Sequence, residues 1–463
     1  MDKSKNIKPL KGIAAILKEQ GRIFRDGDSL TKASFFVMGA GNLFRGQIAK
    51  GLMYLVLQIS FIFYFIVDGI DNLIGLYTLG TREQTKVYNE AKGIYEFVQG
   101  DNSMLLLLTG VTTIFIIVFF VIVWNANIRS SMEAQLIKES GKKLPGIIQD
   151  IKSLFDSNLH KLLLFFPIAG LLLTTVLPLV YMILIAFTNY NMTHQPPGKL
   201  FDWVGLENFR IMLNSAEKLG YTFWKIFGWT IVWAVFATFS NYFLGMFLAM
   251  LINSKGIRFK SVWRTLFVIS IAVPNFVTLL VIRIMLQDQG ALNILLQELG
   301  FIASPIRFFT DGNLARLTVI VVNLWIGIPH TMLITTGILT NIPSELYESA
   351  RIDGAGPVKS FIHITMPYML FITTPYLITN FIYNINNFNA IYFLTAGGPP
   401  TLEYFKGAGK TDLLVTWLYR LTVDSWDYCY AATIGIIIFL ISAVCSLAVY
   451  RRSGSYRREE SFQ

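Results

Sequence analysis

Eight long apolar stretches divide the sequence and restrict the folds open to it. A helix needs about 20 mostly apolar residues to cross a bilayer. The stretches that meet this length are 48–67, 104–124, 161–187, 225–252, 264–286, 317–339, 369–394 and 430–450. Hydrophobic residues make up 54% of the 463 residues and charged residues only 15%, which is unlike an ordinary soluble domain. The sequence therefore predicts an all-α polytopic membrane protein with about eight transmembrane helices.

The distribution of basic residues predicts the orientation of the chain. Lys and Arg cluster before the first apolar stretch and after the second, fourth and eighth, whereas the alternate loops are poorer in them. By the positive-inside rule both termini are then cytoplasmic. The net charge of +10 is spread over these loops rather than gathered on one soluble face, so we expect no nucleic-acid binding. The first 47 residues lack the apolar core and cleavage site of a secretory signal.

Polar segments between the spans predict the domain organisation. We expect a basic cytoplasmic segment (1–47), two accessory spans (48–124), a cytoplasmic linker (125–158), a six-span core (159–452) and a cytoplasmic tail (453–463). The outer-loop residues 81–99 are expected to be helical, and residues 35–50 to form either an interfacial helix or an extension of the first span. Cys429 and Cys445 are expected to pack in the last span. Phosphate-loop and hydrolase motifs are absent from the sequence, so we expect a chain that is not an enzyme.

The inner loop at residues 340–368 is longer and more patterned than the other inner loops. Pro343 suits a first helical position, residues 353–356 supply a turn, and Pro357 can begin a second helix. Pro367 is expected to end that helix before the seventh span. The residues alone leave two interpretations open, a docking site for a soluble partner or an ordinary interfacial loop.

Polar side chains recur along one face of the sixth and seventh predicted spans. The stripes are Asn323, Gly327 and His330 in the sixth, and Tyr376, Asn380, Asn384 and Asn387 with Tyr383 beside them in the seventh. Asn386 and Asn389 are expected to point elsewhere. Such amides either hydrogen-bond neighbouring helices or line a polar cavity, and two aligned stripes favour the cavity. Because neither stripe holds a carboxylate, Lys or Arg, the lining suits a neutral, polyhydroxylated substrate.

The patterned inner loop resembles the signature loop of permease subunits of bacterial ABC importers, the binding-protein-dependent transport system inner membrane components. The family pattern is Glu-Ala-Ala, three residues, Gly, nine residues, then Ile-x-Leu-Pro. Here it reads Glu348-Ser349-Ala350, Gly354 and Ile364-Thr365-Met366-Pro367. The resemblance implies that the loop inserts into a cleft of an ATPase subunit. It assigns Glu348, Asp353 and Gly354 to ATPase coupling.

Further motifs are similar to the larger membrane subunit of maltose/maltodextrin ABC importers over roughly residues 160–450. They are VNLWIGIPH at 322–330, NINNF at 384–388, LTAGGP at 394–399 and GKTDLLVTWLYR at 409–420. The resemblance implies a six-helix permease core preceded by two accessory spans. It also implies sugar contacts at Asn323, Gly327, His330, Tyr383, Asn384 and Asn387. His330 stands where the family has an aromatic hydroxyl residue and Tyr383 where it has a phenyl ring, which leaves the sugar and its length open.

The expected function is therefore the permease subunit of an ATP-driven importer of maltose or maltodextrin-type oligosaccharides in a bacterial cell membrane. The implied partners are a second homologous permease subunit, two cytoplasmic ATPase subunits that would carry ATP and Mg, an extracellular sugar-binding protein and membrane lipid. No cofactor is expected in this chain. One alternative is an ABC permease for another sugar or polyol. The others are an ion-coupled secondary transporter, which should show intramembrane acids or inverted repeats, and a membrane-embedded enzyme.

Overall fold

The computed structural model describes residues 12–90, 92–254 and 256–452, and this part of the chain is built almost wholly of helices. The predicted tail at 453–463 and the first 11 residues of the predicted basic segment lie outside the described residues. Two compact units are present. The first comprises the described residues up to Leu184 with Thr193–Trp203, and the second comprises Ile185–Met192 with the described residues from Val204 onward.

The first unit holds the N-terminal helices, a two-stranded hairpin and three long apolar helices. Its elements are α1 (Ile13–Asp26), α2 (Ser29–Ala33), α3 (Ala40–Leu43), α4 (Ile48–Tyr64), α5 (Ile70–Thr78), β1 (Thr85–Asn89), β2 (Ile94–Val98), α6 (Ser103–Glu139), α7 (Ile147–Phe155), α8 (Leu159–Leu171) and α9 (Leu177–Ile185). The π-helical turns Phe65–Gly69 and Leu172–Val176 join α4 to α5 and α8 to α9.

The second unit is wholly helical in its regular elements. They are α10 (Glu207–Leu213), α11 (Lys218–Val235), α12 (Asn241–Asn253), α13 (Lys260–Ala272), α14 (Asn275–Met285), α15 (Ala291–Glu298), α16 (Gly312–Leu339), α17 (Ser344–Ile352), α18 (Pro357–Ser360), α19 (Met366–Ile385), α20 (Phe388–Thr395), α21 (Leu414–Val423) and α22 (Tyr428–Arg452). The π-helical turns Phe236–Ser240 and Phe361–Thr365 and a 3₁₀ turn, Phe405–Gly407, complete it.

The predicted all-α polytopic fold is confirmed. In the described residues, seven helical stretches are long and apolar enough to cross a membrane: Ile48–Thr78, Ser103–Glu139, Leu159–Ile185, Lys218–Asn253, Gly312–Leu339, Pro357–Ile385 and Tyr428–Arg451. The bent pair α13 and α14 makes an eighth if it is counted as one span. Each of the eight predicted stretches overlaps one of these. Cys429 and Cys445 are free thiols in the last of them, and Cys429 is buried.

Two spans predicted as continuous are broken in the middle. The fifth bends by 90° between α13 and α14, where Val273 is extended and Pro274 follows it. A proline offers no backbone donor and disfavours helical geometry in the residue before it. The seventh, predicted to run to residue 394, stops at Ile385, and α20 begins only at Phe388. Here asparagine side chains compete with the helix for backbone hydrogen bonds.

The outer-loop segment expected to be helical is instead an antiparallel hairpin. Strands β1 and β2 pair with Thr85 opposite Val98 and Asn89 opposite Ile94. Valine, tyrosine, isoleucine and phenylalanine in the two segments favour extended structure. Gly93, with φ +65°, supplies the left-handed residue of the connection. The polar residues of the loop obscured the preference of these side chains for strands.

Residues 35–50 form neither of the two structures expected of them. The short helices α2 and α3 precede α4, and a polar network fastens them to the C-terminal half of α6. Its centre is Arg45, whose side chain is 1% exposed and forms an ion pair with Asp28 at 2.5 Å. The guanidinium also donates to the carbonyl oxygens of Gly41 and Ser131 and to the hydroxyl of Thr31.

The patterned loop at 340–368 has the predicted helix, turn and second helix, but its second helix does not end at Pro367. Residues Pro357–Ile385 form one continuous helical run that contains this proline. The π-helical turn Phe361–Thr365 ends two residues before Pro367. A π turn widens the backbone locally, which accommodates a residue that clashes with the preceding turn and lacks a donor. The second helix of the loop is therefore the start of the seventh span.

Candidate functional site

A cavity of about 600 Å³ lies within the second unit, between α12, the bent pair α13 and α14, α16, α19 and α20. Its polar and aromatic lining residues, together with Gly327, are Asn241, Ser270, Asn275, Thr278, Asn323, Trp325, His330, Thr331, Tyr376, Thr379, Asn380, Tyr383, Asn384, Asn387 and Asn389. The six residues predicted as sugar contacts are all among them. The two stripes read from the sequence therefore face one common space.

The wall formed by α16 is a continuous helix, as its spacing predicts. Asn323, Gly327 and His330 follow each other at intervals of four and three and share one face. In the described part of the chain no hydrogen bond is formed by the side chain of Asn323 or His330. Both side chains consequently keep their donors and acceptors available to a ligand.

The opposite wall is made where α19 gives way to α20. Asn387 occupies the N-cap of α20, and its Oδ1 accepts a hydrogen bond from the backbone N–H of Ala390 at 3.2 Å. Its Nδ2 donates to Oδ1 of Asn384 at 3.3 Å. Nδ2 of Asn384 donates in turn to the hydroxyl of Thr238 at 3.0 Å, and its backbone oxygen accepts from Trp233 at 3.1 Å. These bonds hold the break in place.

The amides of Asn384 and Asn387 thus have a structural role as well as a position in the cavity. Each carboxamide carries two N–H donors and two acceptor lone pairs. The bonds to Thr238 and Ala390, and the bond between the two amides, use one donor and one acceptor of each. One donor and one lone pair remain on each side chain. The two interpretations left open by the sequence, bonding between helices and lining of a cavity, both hold here.

The break also changes which asparagines face the cavity. The prediction that Asn389 points elsewhere is wrong, because it lines the cavity from the second residue of α20. Asn386 lies outside the lining, and its Nδ2 donates to the oxygen of Ile382 within its own helix. A rotation of 100° per residue cannot be continued past a residue that is not helical. Asn386 and Asn387 have φ/ψ values of −100°/18° and −77°/82°, which reset the direction of the chain.

Sequence reasoning missed two further amides of the cavity, Asn241 and Asn275. Asn275 begins α14 directly after the bend at Pro274. A proline followed by asparagine inside a predicted span was the available signal. Asn241 begins α12 after the π-helical turn Phe236–Ser240, and no pattern in the sequence distinguishes it.

The chemistry of the lining is neutral and hydrogen-bonding. None of the described residues that line the cavity is Asp, Glu, Lys or Arg, and His330 has no acidic partner among them. Amides and hydroxyls donate to and accept from hydroxyl groups, while aromatic rings pack against C–H faces. Tyr376, Tyr383 and Trp325 supply such rings. Metal ions prefer carboxylate ligands, so this arrangement fits a polyhydroxylated neutral molecule better than an ion.

The residues assigned to coupling lie at the other candidate site: Glu348 is in α17, and Asp353 and Gly354 are in the turn between α17 and α18. Glu348, Asp353 and Gly354 are all exposed, and Gly354 has φ +72° just beyond the C-terminus of α17. A hydrogen bond of 2.8 Å between the hydroxyls of Tyr347 and Thr365 ties α17 to the start of the seventh span. This bond joins α17 to the helical run that carries Tyr383 and Asn384.

Comparison with protein families gives one match, the binding-protein-dependent transport system inner membrane component, over residues 241–455. The matched region begins at Asn241 and contains all the residues that the sequence predicts to contact sugar or an ATPase. It also contains both broken spans. The cavity and the loop therefore lie in the part of the chain that the family describes.

Two relatives align with almost the whole chain. The galactooligosaccharides transport system permease protein GanP of Bacillus subtilis is 32% identical over 427 residues, which cover 91% of this chain and 97% of GanP. The maltodextrin transport system permease protein MdxF of the same organism is 33% identical over 435 residues, which cover 92% of this chain and 95% of MdxF. Both names describe transport permeases rather than enzymes. The similarity extends well beyond residues 160–450.

A solved structure has a similar fold. It is a bacterial ABC transporter involved in the import of the acidic polysaccharide alginate, with a TM-score of 0.50 and 21% sequence identity. The match covers 65% of this chain and 96% of that chain. This similarity concerns the fold of the helices alone.

Proposed function

The chain belongs to the family of binding-protein-dependent transport system inner membrane components, as a multi-pass permease of the ABC sugar importers, and on that premise we propose that it forms the translocation pathway of an ATP-driven importer of maltodextrin-type oligosaccharides. In this proposal the cavity is the sugar site midway along the pathway. Alternating access opens it to one side of the membrane at a time, and both termini are cytoplasmic.

The observation that supports this proposal is the uncharged lining of the cavity. Asn323 and His330 face it with unused hydrogen-bonding groups, and Tyr383 offers a ring that is 55% exposed. A sugar ring needs both kinds of contact, because its hydroxyls and its C–H faces point in different directions. A few such contacts give weak binding, which suits a transporter since the site must also release its cargo.

A second candidate substrate class is the galacto-oligosaccharides. GanP carries that substrate in its name and aligns over 97% of its own length. His330 and Tyr383 depart from the residues of the maltose family at the corresponding positions, and both line the cavity. These two side chains are where we expect a preference between glucosyl and galactosyl units to arise.

The proposed coupling runs through the loop between α17 and α18. A separate ATPase subunit, which would bind ATP and Mg²⁺, is expected to receive Glu348, Asp353 and Gly354. The tip of the loop also exposes Ile352 at 87% and Val358 at 70%. Exposed apolar side chains beside charged ones are typical of a surface that is covered by a partner. Two ATPase subunits, a second homologous permease and an extracellular sugar-binding protein complete the proposed assembly.

The test is the ATPase activity of the complete complex reconstituted in liposomes, measured with maltose, maltotriose, longer maltodextrins, galacto-oligosaccharides, raffinose-type sugars and glycerol phosphate. We expect stimulation by maltodextrins together with uptake of the same sugar. Stimulation only by galacto-oligosaccharides would select the second candidate. Sugar uptake by this chain alone, driven by an ion gradient, would replace the proposal with a secondary transporter.

Gly354→Asp tests the coupling loop. Gly354 has no neighbour within 4 Å of the position that a Cβ would take, so the change meets no clash, strains only the left-handed backbone at this residue and places a carboxylate in the proposed contact. We expect the variant to reach the membrane and to lose transport. Sugar-stimulated ATPase activity and co-purification of the ATPase are the measurements.

Gly300→Asp is a matched control for that variant. Gly300 also has φ +72°, also has open space around its Cβ position, and also follows a helix, α15, by two residues. The two substitutions therefore impose the same backbone strain. Normal transport by Gly300→Asp beside loss by Gly354→Asp supports coupling, whereas normal transport by Gly354→Asp contradicts it.

A further inference from the structure

Two asparagines of α12 make the same local hydrogen bond but differ in their carbonyl oxygens. Nδ2 of Asn241 donates to the oxygen of Ala237 at 2.7 Å, and Nδ2 of Asn253 donates to the oxygen of Ala249 at 2.8 Å. Oδ1 of Asn253 accepts a hydrogen bond from Arg264. Oδ1 of Asn241 is buried and has no partner. Only Asn241 lines the cavity.

An unpaired buried acceptor is unfavourable and calls for a physical reason. Leaving such a group unsatisfied destabilises a protein by about 1–3 kcal/mol, and most buried polar groups are paired. Asn241 is 5% exposed, and it is held beside the π-helical turn Phe236–Ser240 by its bond to Ala237. Single π turns in long helices occur often at functional sites.

The side chain of Asn241 lies flat against Gly327 of α16. A Cβ at residue 327 would come within 2.2 Å of Nδ2 and 2.7 Å of Oδ1 of Asn241. Gly327 has an ordinary helical backbone, so a left-handed conformation is not the reason for glycine here. Its missing side chain is what admits Asn241 to the wall of the cavity.

We propose that Asn241 is a sugar-contacting residue, whose Oδ1 accepts a hydrogen bond from a sugar hydroxyl when the cavity holds a sugar. The absence of a side chain at Gly327 is what leaves room for this asparagine. Both statements rest on the proposed function. The unpaired acceptor then gains its donor only in the loaded state. A hydroxyl can supply that donor, whereas an ionised carboxylate cannot. Asn241 therefore contributes to selection of a neutral sugar.

The test compares Asn241→Ala with the unmodified chain in the complete reconstituted complex, using maltotriose and its monodeoxy analogues. Transport rates are expressed as the ratio of variant to unmodified chain for each sugar, so the preference of the binding protein cancels. We expect the ratio for maltotriose to fall about three- to tenfold, the size of one hydrogen bond. For one deoxy analogue, the one that lacks the contacting hydroxyl, the ratio should return to about one.

Asn253→Ala is the control, because it removes the same bond to the preceding turn of α12, together with the bond from Arg264, outside the cavity. We expect its ratio to be equal for all the sugars. A merely structural role for Asn241 would likewise lower transport of every analogue by the same factor. That uniform profile, or a profile without any loss, overturns the assignment.

Gly327→Ala examines the second half of the proposal. We expect it to lower transport by displacing Asn241, and the double variant Asn241→Ala/Gly327→Ala to be no worse than Asn241→Ala alone. If the losses multiply, Gly327 acts independently of Asn241 and the pairing is wrong. Failure of the unmodified complex to respond to any sugar of the panel would instead reject the proposed function, so the two failures are distinct.

Discussion

The buried polar cluster around Arg45 in the first unit and the polar lining of the cavity in the second unit use their hydrogen-bonding capacity differently. In the first unit, Arg45 donates to five acceptors, and Oε1 of Gln135 accepts from the hydroxyl of Thr31 and the backbone of Asp28. In the cavity of the second unit, Asn323 and His330 form no hydrogen bond within the described chain.

The difference separates polar groups that hold the fold from polar groups that await a ligand. A satisfied buried network fixes one arrangement of its members, and removing one member leaves the others unpaired. In a cavity, donors and acceptors that have no partner within the protein can bind a ligand. One atom of the first cluster, Oδ1 of Asn42, is unpartnered, while its Nδ2 bonds both Gln47 and Ser130. Mutations in the first cluster should therefore affect stability, and mutations in the cavity should affect transport.

Asp28→Asn should produce the largest effect. The variant keeps the shape of the side chain but leaves the guanidinium of Arg45, which is 1% exposed, without a counter-charge. Removing one partner of a buried ion pair costs roughly 3–5 kcal/mol, and the 41% exposure of Asp28 places the expected loss near the lower figure. The measurement is the thermal or detergent midpoint of the purified protein.

Asp26→Asn is the matched control for that prediction. Asp26 pairs with Arg25, and both side chains are well exposed, so its loss should change stability by less than about 0.5 kcal/mol. The double variant Asp28→Asn/Arg45→Met should be less destabilised than Asp28→Asn alone, because no charge then remains buried. Equal midpoints for Asp28→Asn and Asp26→Asn would show that the first cluster does not hold the fold.

Asn387→Ser should separate the two roles of this asparagine in the cavity. Serine is as good an N-cap as asparagine, so α20 should keep its start, and the protein should lose only the contribution of the bond to Asn384. The carboxamide that faces the cavity is lost, and we expect transport to fall by about tenfold, the value of one or two hydrogen bonds. The measurements are uptake and complex assembly.

Asn387→Ala and Asn384→Ala complete that experiment. Asn387→Ala removes the cap as well, which costs about 1 kcal/mol of stability, and Asn384→Ala removes the bond to Thr238. Both should transport as poorly as Asn387→Ser and be less stable than it. Normal uptake by all three variants would mean that the asparagines only hold the break between α19 and α20.

The parts of the site that lie on unbroken helix are the parts that the sequence predicts well. Asn323, Gly327 and His330 belong to one helix, so a rotation of 100° per residue places them on one face. The same rule fails for Asn389, because the helix is interrupted before it by hydrogen bonds between side chains and backbone. Those bonds depend on contacts with Thr238 and Trp233, which are far away in sequence.

The sequence does not predict that Asn241 lines the cavity, and the reason is different. Nothing local marks it, since Asn253 on the same helix has the same residue type and the same bond to the preceding turn. What distinguishes it is its contact with Gly327 of α16, which lies 86 residues further along the chain (327 − 241 = 86). The prediction of the outer hairpin failed for a third reason, because the polar residues between its strand-forming side chains suggested a helix.

Thr238→Val should give a smaller change than either asparagine variant. The hydroxyl of Thr238 accepts from Asn384 and so orients an amide of the cavity without itself lining it. Hydrogen bonds between membrane helices contribute about 0.6 kcal/mol on average, which corresponds to about a threefold loss of transport. Thr174→Val is the control, because Thr174 also lies in a π-helical turn but is exposed and bonds only Gly170 of its own helix. If both variants reduce transport equally, Thr238 does not position Asn384.

Asn386→Ala should have the smallest effect, and it tests most directly whether only the asparagines that line the cavity matter for transport. Asn386 is adjacent to Asn387 and has the same side chain, yet it is exposed, lies outside the cavity lining and bonds only Ile382 of its own helix. If polar residues in this span matter for their chemistry in the cavity, transport should stay within about twofold of the unmodified chain, since exposed positions of this kind change stability by less than about 0.5 kcal/mol. A loss as large as that of Asn387→Ser would mean that the whole break, rather than its inward-facing amides, is what transport requires.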